Sequence, residues 1–395
     1  MIILKNGKII RENDILENHS VLIEDDKIKK IVENDQVGNY LDGEYKIIDC
    51  SNKFISPGFI DIHSDYIENI ISPRPVIMMD YNFSLHETER ILVTSGITTI
   101  YHSLSLYPFD EFGRKEVRNP KNIYKLIDEI QKFDKGPHII HNRLHLRYEI
   151  CGIDHMKKVE DLIKEGKVHL LSFMNHVPGQ GQYKDLKIYG KTLVSYDEKL
   201  TQKDIENRIH EKQSQKLLNL DEIEQLAKFA LENKVKIASH DDDSIEKLCF
   251  NEKANISISE FPITLEIAKE ATRRNMWTVC GAPNIILGKS HSGNLSAIEG
   301  IIDEAISIIS SDYYPSAVLS SIFKMHEEYG IDLTRMFRMV TSNPARAVGI
   351  FNKVGSIEEG KHADILLIEK KADYPVINLA MVDGHIVYRT SYRYD

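Results

Sequence analysis

The stretch SPGFIDIHSDYIE, Ser56 to Glu68, decides the fold. Pro57 and Gly58 break whatever precedes them, and Phe59, Ile60 and Ile62 then form an apolar run of the length of a buried strand. The run ends in two ligand-type side chains, His63 and Asp65. Side chains two apart on an extended strand face the same way, so both can approach one ion from the strand end. An H-x-D pair alone is weak, since many such pairs are surface turns. At the end of an apolar strand it points to a metal.

Seven further apolar runs follow, each with helix-like sequence nearby: GITTIYHS (96–103), HIIHNRLHLRYE (138–149), VHLLSFMNH (168–176), VKIASHD (235–241), ISISEF (256–261), WTVCGA (277–282) and AISIISSD (305–312). NIYKLIDEIQKF (122–133) and DEIEQLAKFALENK (221–234) carry the helical period between them. Eight strands alternating with helices imply a parallel sheet with crossovers, and at this length an α/β fold of the (β/α)8 TIM-like type over residues 56–348. The charged stretch 184–216 reads as an exposed helical insertion after the fourth barrel strand. Upstream, residues 1–55 alternate apolar and polar positions, with Asn6-Gly7 and Asp25-Asp26-Lys27 at turns. Downstream, residues 349–395 do the same, with Asp383-Gly384 as a hairpin signal. The two ends predict one small β-sandwich domain assembled from both termini.

The whole chain has 395 residues, long enough for one large barrel and a smaller unit. Acidic residues number 60 against 50 Lys and Arg, a net charge of −10 that argues against duplex nucleic acid as the main partner. The four cysteines, Cys50, Cys151, Cys249 and Cys280, form no CxxC pair, which argues against a zinc ribbon and suits a reducing compartment. The start MIILKNGKII lacks the features of a signal peptide, and no apolar run reaches membrane-spanning length. The expectation is a soluble cytoplasmic enzyme with no nucleic acid or membrane partner.

Barrel enzymes build their sites at the C-terminal ends of the strands. There the sequence offers His63, Asp65, Glu149, His176, His240 and Asp312. Imidazoles with carboxylates, two of the latter able to bridge, suit a pair of divalent ions such as Zn²⁺ or Mn²⁺. Any one of these residues could instead be bonded to a neighbouring carbonyl; six on one face are harder to dismiss. GKSHSGN (288–294) is not a Walker A loop, because six residues rather than four separate Gly281 from Gly288. His86 and His102 stand evenly between pocket and ordinary structure.

The H-x-D after P-G-F-I-D, the two-ended β-domain and the Asp after the last strand resemble the amidohydrolase superfamily. RLHLRYE (143–149), NHVPGQGQ (175–182), ASHDD (238–242), GAPNIILGKSHSGNLSA (281–297) and SSDYYP (310–315) resemble, over essentially the whole chain, its diphosphatase branch. That branch acts on α-D-ribose 1-methylphosphonate 5-triphosphate in the carbon–phosphorus lyase pathway. Two positions depart from the branch's pattern. Asn175 stands where an Asp commonly precedes the fourth-strand His, and Gly181 where an Arg is common.

The resemblance implies a binuclear centre of His63, Asp65, Glu149, His176, His240 and Asp312, with Glu149 where many members bridge through a carboxylated Lys. It implies two divalent ions of the Zn²⁺ type, a homodimer, and hydrolysis of the triphosphate to the 5-phosphate and pyrophosphate. Asp312 is the expected general base. A polyanionic substrate calls for local cations and donors, for which Arg143, Arg147, Lys289, Ser290, His291 and Ser292 are the candidates. The alternative is a C–N hydrolase such as a deacetylase, cyclic amidase or deaminase, which would have no use for that basicity.

Overall fold

The computed structural model describes residues 1–41, 43–74, 77–107, 116–181, 186–196, 200–290, 293–372 and 374–393. The N-terminal strands are β1 (Ile2–Lys5), β2 (Lys8–Ile10), β3 (Ile15–Leu16), β4 (His19–Glu24), β5 (Lys27–Glu33), β6 (Lys46–Asp49) and β7 (Phe54–Pro57). The central strands are β8 (Phe59–Ser64), β9 (Ile97–Leu106), β10 (His141–Glu149), β11 (Leu170–Met174), β12 (Lys236–His240), β13 (Ile258–Glu260), β14 (Trp277–Gly281) and β15 (Ile308–Ser310). The last three are β16 (Ile365–Lys371), β17 (Tyr374–Val382) and β18 (His385–Arg389).

β8 to β15 form one sheet in which each strand pairs in parallel with the next. The sheet closes through a parallel bridge between Ser64 and Asp312: the Asp312 amide donates to the His63 carbonyl at 3.0 Å, and the Asp65 amide donates to the Asp312 carbonyl at 3.1 Å. All eight barrel strands therefore lie where the apolar runs were read. Inside the barrel, Ile60, Tyr101, Leu170, Ala238, Ile258, Val279 and Ile308 form the apolar lower filling. On the outside, Leu144, Leu146, Tyr148, Leu171 and Ile237 pack against the helices. Helix Pro120–Phe133 shows how: Asn119 caps it, its side chain accepting from the Lys121 amide at 3.0 Å, with Pro120 in its first turn. Ile123, Leu126, Ile127, Ile130 and Phe133 then recur at helical spacing and are buried against the sheet.

The remaining strands form two sheets, in the orders β5-β4-β1-β6 and β18-β17-β16-β7-β2-β3. Leu4, Val21, Ile23, Ile55, Ile365, Leu367 and Met381 fill the space between them. Asp383-Gly384 closes the β17–β18 hairpin with positive φ at both residues, 46° and 75°. Asn6-Gly7 does not close a hairpin. It carries the chain from one sheet to the other, because β1 and β2 belong to different sheets. The sandwich meets the N-terminal end of the barrel, where the Gly58 amide donates to the Asp364 carbonyl at 2.8 Å. The mouth at the other end stays clear of it. The insertion after β11 contains helices Leu186–Tyr196 and Gln202–Gln213, the second opened by a Thr201/Asp204 capping box.

Candidate active site at the barrel mouth

β10 sets the site's ladder. Arg143, His145, Arg147 and Glu149 alternate with the outward-facing Leu144, Leu146 and Tyr148. His145 is fully buried, with its two ring nitrogens 3.0 Å from Ser103 Oγ and 2.9 Å from Ser172 Oγ. One step higher, the buried Arg147 donates from Nη2 to His240 Nε2 at 3.0 Å. At the strand end Glu149 accepts from the His176 amide at 2.8 Å and faces His176 Nδ1 at 2.7 Å. Arg143 does not belong to this group. It lies near the N-terminal start of β10, in register with Tyr101, and pairs with Asp134 at 3.7 Å. Six residues of strand put it about 20 Å below Glu149, so its assignment to a substrate site at the mouth is corrected.

His63 Nδ1 lies 2.7 Å from Glu260 Oε1, and His145 Nε2 lies 3.8 Å from the same oxygen. Glu260, at the end of β13 and 0% exposed, was not among the expected ligands. Asp241 was not either. It follows β12 in the left-handed region (φ 53°), with Oδ2 3.0 Å from His240 Nδ1 and 3.8 Å from His176 Nε2. The result is two adjacent sets, His63–His240–Glu260 and His176–His240–Asp241, each with its ligand atoms within 4.8 Å of one another and sharing His240. Asp65 and Asp312 are tied to this end by the barrel closure. Asp312 has φ 56°, and a Cβ on Gly281 would come within 3.0 Å of its Oδ2, so a glycine leaves the carboxylate its space. Arg118 reaches in to Asp65 Oδ2 at 3.4 Å and binds Glu68 Oε2 at 2.7 Å.

The electrostatics of this cluster call for a cation. Burial pushes the Asp312 carboxyl up to about 7, with Asp65 adding to the rise and Arg147 opposing it. Burial likewise lifts Asp61 to about 6 and depresses His145 to about 3. Burial also works to raise Asp241, but His240, His176 and Lys247 outweigh it and hold this carboxyl at about 2. Asp61 Oδ2, Asp65 Oδ1, His240 Nδ1, Asp241 Oδ2 and Glu260 Oε2 are buried and make no hydrogen bond. Unpaired buried polar atoms each cost on the order of 1–3 kcal/mol, so a concentration of nitrogen and carboxylate ligands in one place fits divalent ions.

The Amidohydrolase family profile matches residues 201–387. The chain is 29% identical over 98% of its length to the whole of the alpha-D-ribose 1-methylphosphonate 5-triphosphate diphosphatase of Escherichia coli (strain K12). The profile likeness is thus to amidohydrolases, and the full-length likeness is to a diphosphatase. A dihydroorotase of Streptococcus thermophilus is 21% identical across 94% of this chain and 90% of its own. Among solved structures, the N-acetylglucosamine-6-phosphate deacetylase from Pasteurella multocida superposes with a TM-score of 0.64 at 13% identity, covering 98% of this chain and 99% of that one, a likeness of fold.

Several other residues now have places. Lys289 and Ser290 follow helix Ala282–Leu287 after β14, Lys289 exposed and Ser290 half-buried. Asn284 ties the base of that loop, donating to the Leu295 carbonyl at 3.1 Å and accepting from the Ala297 amide at 3.0 Å. His291 and Ser292 lie outside the described residues. His102 points away from the mouth, its Nε2 2.8 Å from Asn142 Oδ1. His86 stacks edge-on against Phe133 at 4.7 Å in the helix layer. Gly181 has φ 53° and donates its amide to Asp243 Oδ2 at 3.0 Å, a backbone that suits glycine. Among the described residues no helix is long and apolar enough to cross a membrane.

Proposed function

We propose that the chain hydrolyses α-D-ribose 1-methylphosphonate 5-triphosphate to the 5-phosphate and pyrophosphate, as a cytoplasmic step of phosphonate breakdown. The observation carrying this reading is the buried Arg147 guanidinium placed among the candidate metal ligands. A neutral amide has no need of that cation, whereas phosphoryl oxygens match an Arg fork. The full-length likeness to the E. coli diphosphatase supports the same substrate class.

His63, His176, His240, Asp241 and Glu260 would hold the ions, His240 serving one of them, with Asp65, Glu149 and Asp312 completing the shells; zinc is the ion proposed. Such ions supply positive charge to phosphoryl oxygens and make water more acidic. The chain's own side chains do the rest. Arg147 binds non-bridging oxygens and neutralises charge that grows on them as the bond to pyrophosphate breaks. An Asp312 carboxylate oxygen takes the proton from the attacking water, which adds to the α-phosphorus. Glu260 holds His63 through Nδ1 and fixes the ring's orientation. Lys289 and Ser290, with His291 and Ser292, are proposed to meet the far phosphates.

The test is turnover by the metal-loaded protein on a panel of ribose 5-triphosphates, cyclic amides and N-acetyl sugars. Pyrophosphate release from the triphosphates alone is expected. Amide hydrolysis without pyrophosphate release would replace this reading by the C–N hydrolase one.

A further inference from the structure

At the opposite end of the barrel, a second group of ligand-type side chains plays no part in the chemistry above. His141 opens β10, and its Nε2 lies 3.2 Å from Asp364 Oδ2 and 3.6 Å from Asp383 Oδ2. The other oxygen of Asp383 lies 2.8 Å from His362 Nδ1, which is in turn 3.3 Å from Asp26 Oδ2. Both sets, His141–Asp364–Asp383 and Asp26–His362–Asp383, have all their ligand atoms within 4.8 Å of one another. We propose that this junction of barrel and sandwich is a further divalent metal site of the zinc type, held by His141, Asp364 and Asp383, with His362 on the second oxygen of Asp383 and Asp26 behind His362.

Three features make it a built site. First, backbone contacts bring the turns that carry its ligands together. The Ala363 amide donates to the Asp26 carbonyl at 2.8 Å, the Gly384 amide to the Ala363 carbonyl at 3.2 Å, and the Asp383 amide to Asp364 Oδ1 at 2.9 Å. Gly384 (φ 75°) presses so closely on the neighbouring turn that a Cβ there would fall 1.9 Å from the Asp25 carbonyl oxygen. Second, Asp364 is 4% exposed, and its Oδ2 is buried without a hydrogen bond. That oxygen faces His141 Nε2 at 3.2 Å without the alignment of a hydrogen bond, as expected of two ligands that look toward one ion. Third, the donors facing the proposed ion are an imidazole nitrogen and two carboxylates, with a second imidazole beside them at His362. This set favours zinc and its neighbours over calcium or magnesium, which prefer all-oxygen shells. An ion here ties β10 of the barrel to the β17–β18 hairpin, so its binding energy adds to the stability of the joined domains.

The experiment uses the full-length protein, stripped with a chelator and titrated with Zn²⁺ alone against a chromophoric competitor. Wild type should bind one equivalent more than His141→Asn or Asp383→Asn. The kcat of the zinc-loaded variants should equal that of wild type, since neither residue belongs to the mouth. Zinc should also raise the Tm of His240→Ala, in which the mouth is damaged, but raise it less in the double variant with His141→Asn. Asp383 lies on a partly exposed turn, so its variant serves if His141→Asn does not fold. Equal zinc stoichiometry in wild type, His141→Asn and Asp383→Asn would overturn the site and leave these groups as simple His–Asp ion pairs.

Discussion

Replacing Glu260 by Gln asks how much of the mouth's affinity for cations rests on one buried charge. Glu260 is the only anion in the His63–His240–Glu260 set. It is fully shielded from solvent, and its Oε1 sits 2.7 Å from His63 Nδ1. A Gln carbonyl in the same place still accepts a hydrogen bond from His63, so the ring keeps its orientation. What is lost is the negative charge, and the amide NH2 then occupies the position of Oε2, the oxygen that makes no hydrogen bond. Removing a partner that merely orients a ligand costs about 10–100-fold in metal affinity, or roughly 1.4–2.8 kcal/mol. Loss of a direct anionic ligand in a dry site should exceed that. Zinc affinity should therefore fall by about 10²-fold or more in Glu260→Gln. Glu260→Asp, which keeps the charge but retracts it by one methylene, should lie between the two. Competition with a chromophoric chelator measures the affinities, and urea unfolding of the metal-free proteins confirms that both fold. Zinc affinity within about threefold of wild type in Glu260→Gln would refute the reasoning, since the charge would then be balanced from elsewhere.

Three other substitutions separate the roles of neighbouring groups. Arg147→Ala should keep its metal but lose kcat/KM by about 10²-fold, roughly 3 kcal/mol of transition-state binding; loss of metal with unchanged KM would make Arg147 a partner of His240 instead. Asp312→Asn should bind metal and substrate and lose kcat by about 10²–10⁴-fold, and full recovery in excess zinc would remove its role as base. His102 carries the acid-stability prediction. Burial lowers its pKa to about 4 against an ordinary 6.5, despite the Asn142 hydrogen bond that favours its charged form. The unfolded chain thus takes up this proton first, and the stabilisation present above pH 6.5 is lost as pH falls toward 4, about 3 kcal/mol in all. Urea unfolding of wild type and His102→Gln at pH 7.5 and 4.5 should show their difference shrinking in acid; a constant difference would contradict it.

The fold was legible because most barrel strands are short, largely apolar runs buried on both faces, and because Asp383-Gly384 tolerates the positive φ that a tight hairpin turn needs. The site was legible where one rule sufficed: a ligand-type residue ending an apolar strand. That rule also applies to ISISEF, and it would have found Glu260 had it been carried to the sixth strand. Asp241 was harder, since its approach to His240 depends on a left-handed residue just past β12 that no periodicity announces. Arg143 shows the opposite limit. Alternation along RLHLR gave the correct inward face for Arg143 and Arg147, but not their height in the barrel, which only the register with β9 sets. The group at the barrel base was hidden for a similar reason, because Asp26, His141, His362, Asp364 and Asp383 meet only when both ends of the chain fold onto the start of β10.

The most direct measurement is ³¹P NMR of the zinc-loaded protein turning over α-D-ribose 1-methylphosphonate 5-triphosphate in ¹⁸O-enriched water. Attack at the α-phosphorus, with Asp312 as base and Arg147 on the phosphoryl oxygens, predicts unlabelled pyrophosphate and one ¹⁸O in the 5-phosphate. Label in pyrophosphate, release of orthophosphate, or no cleavage of the triphosphate by fully metal-loaded protein would contradict it.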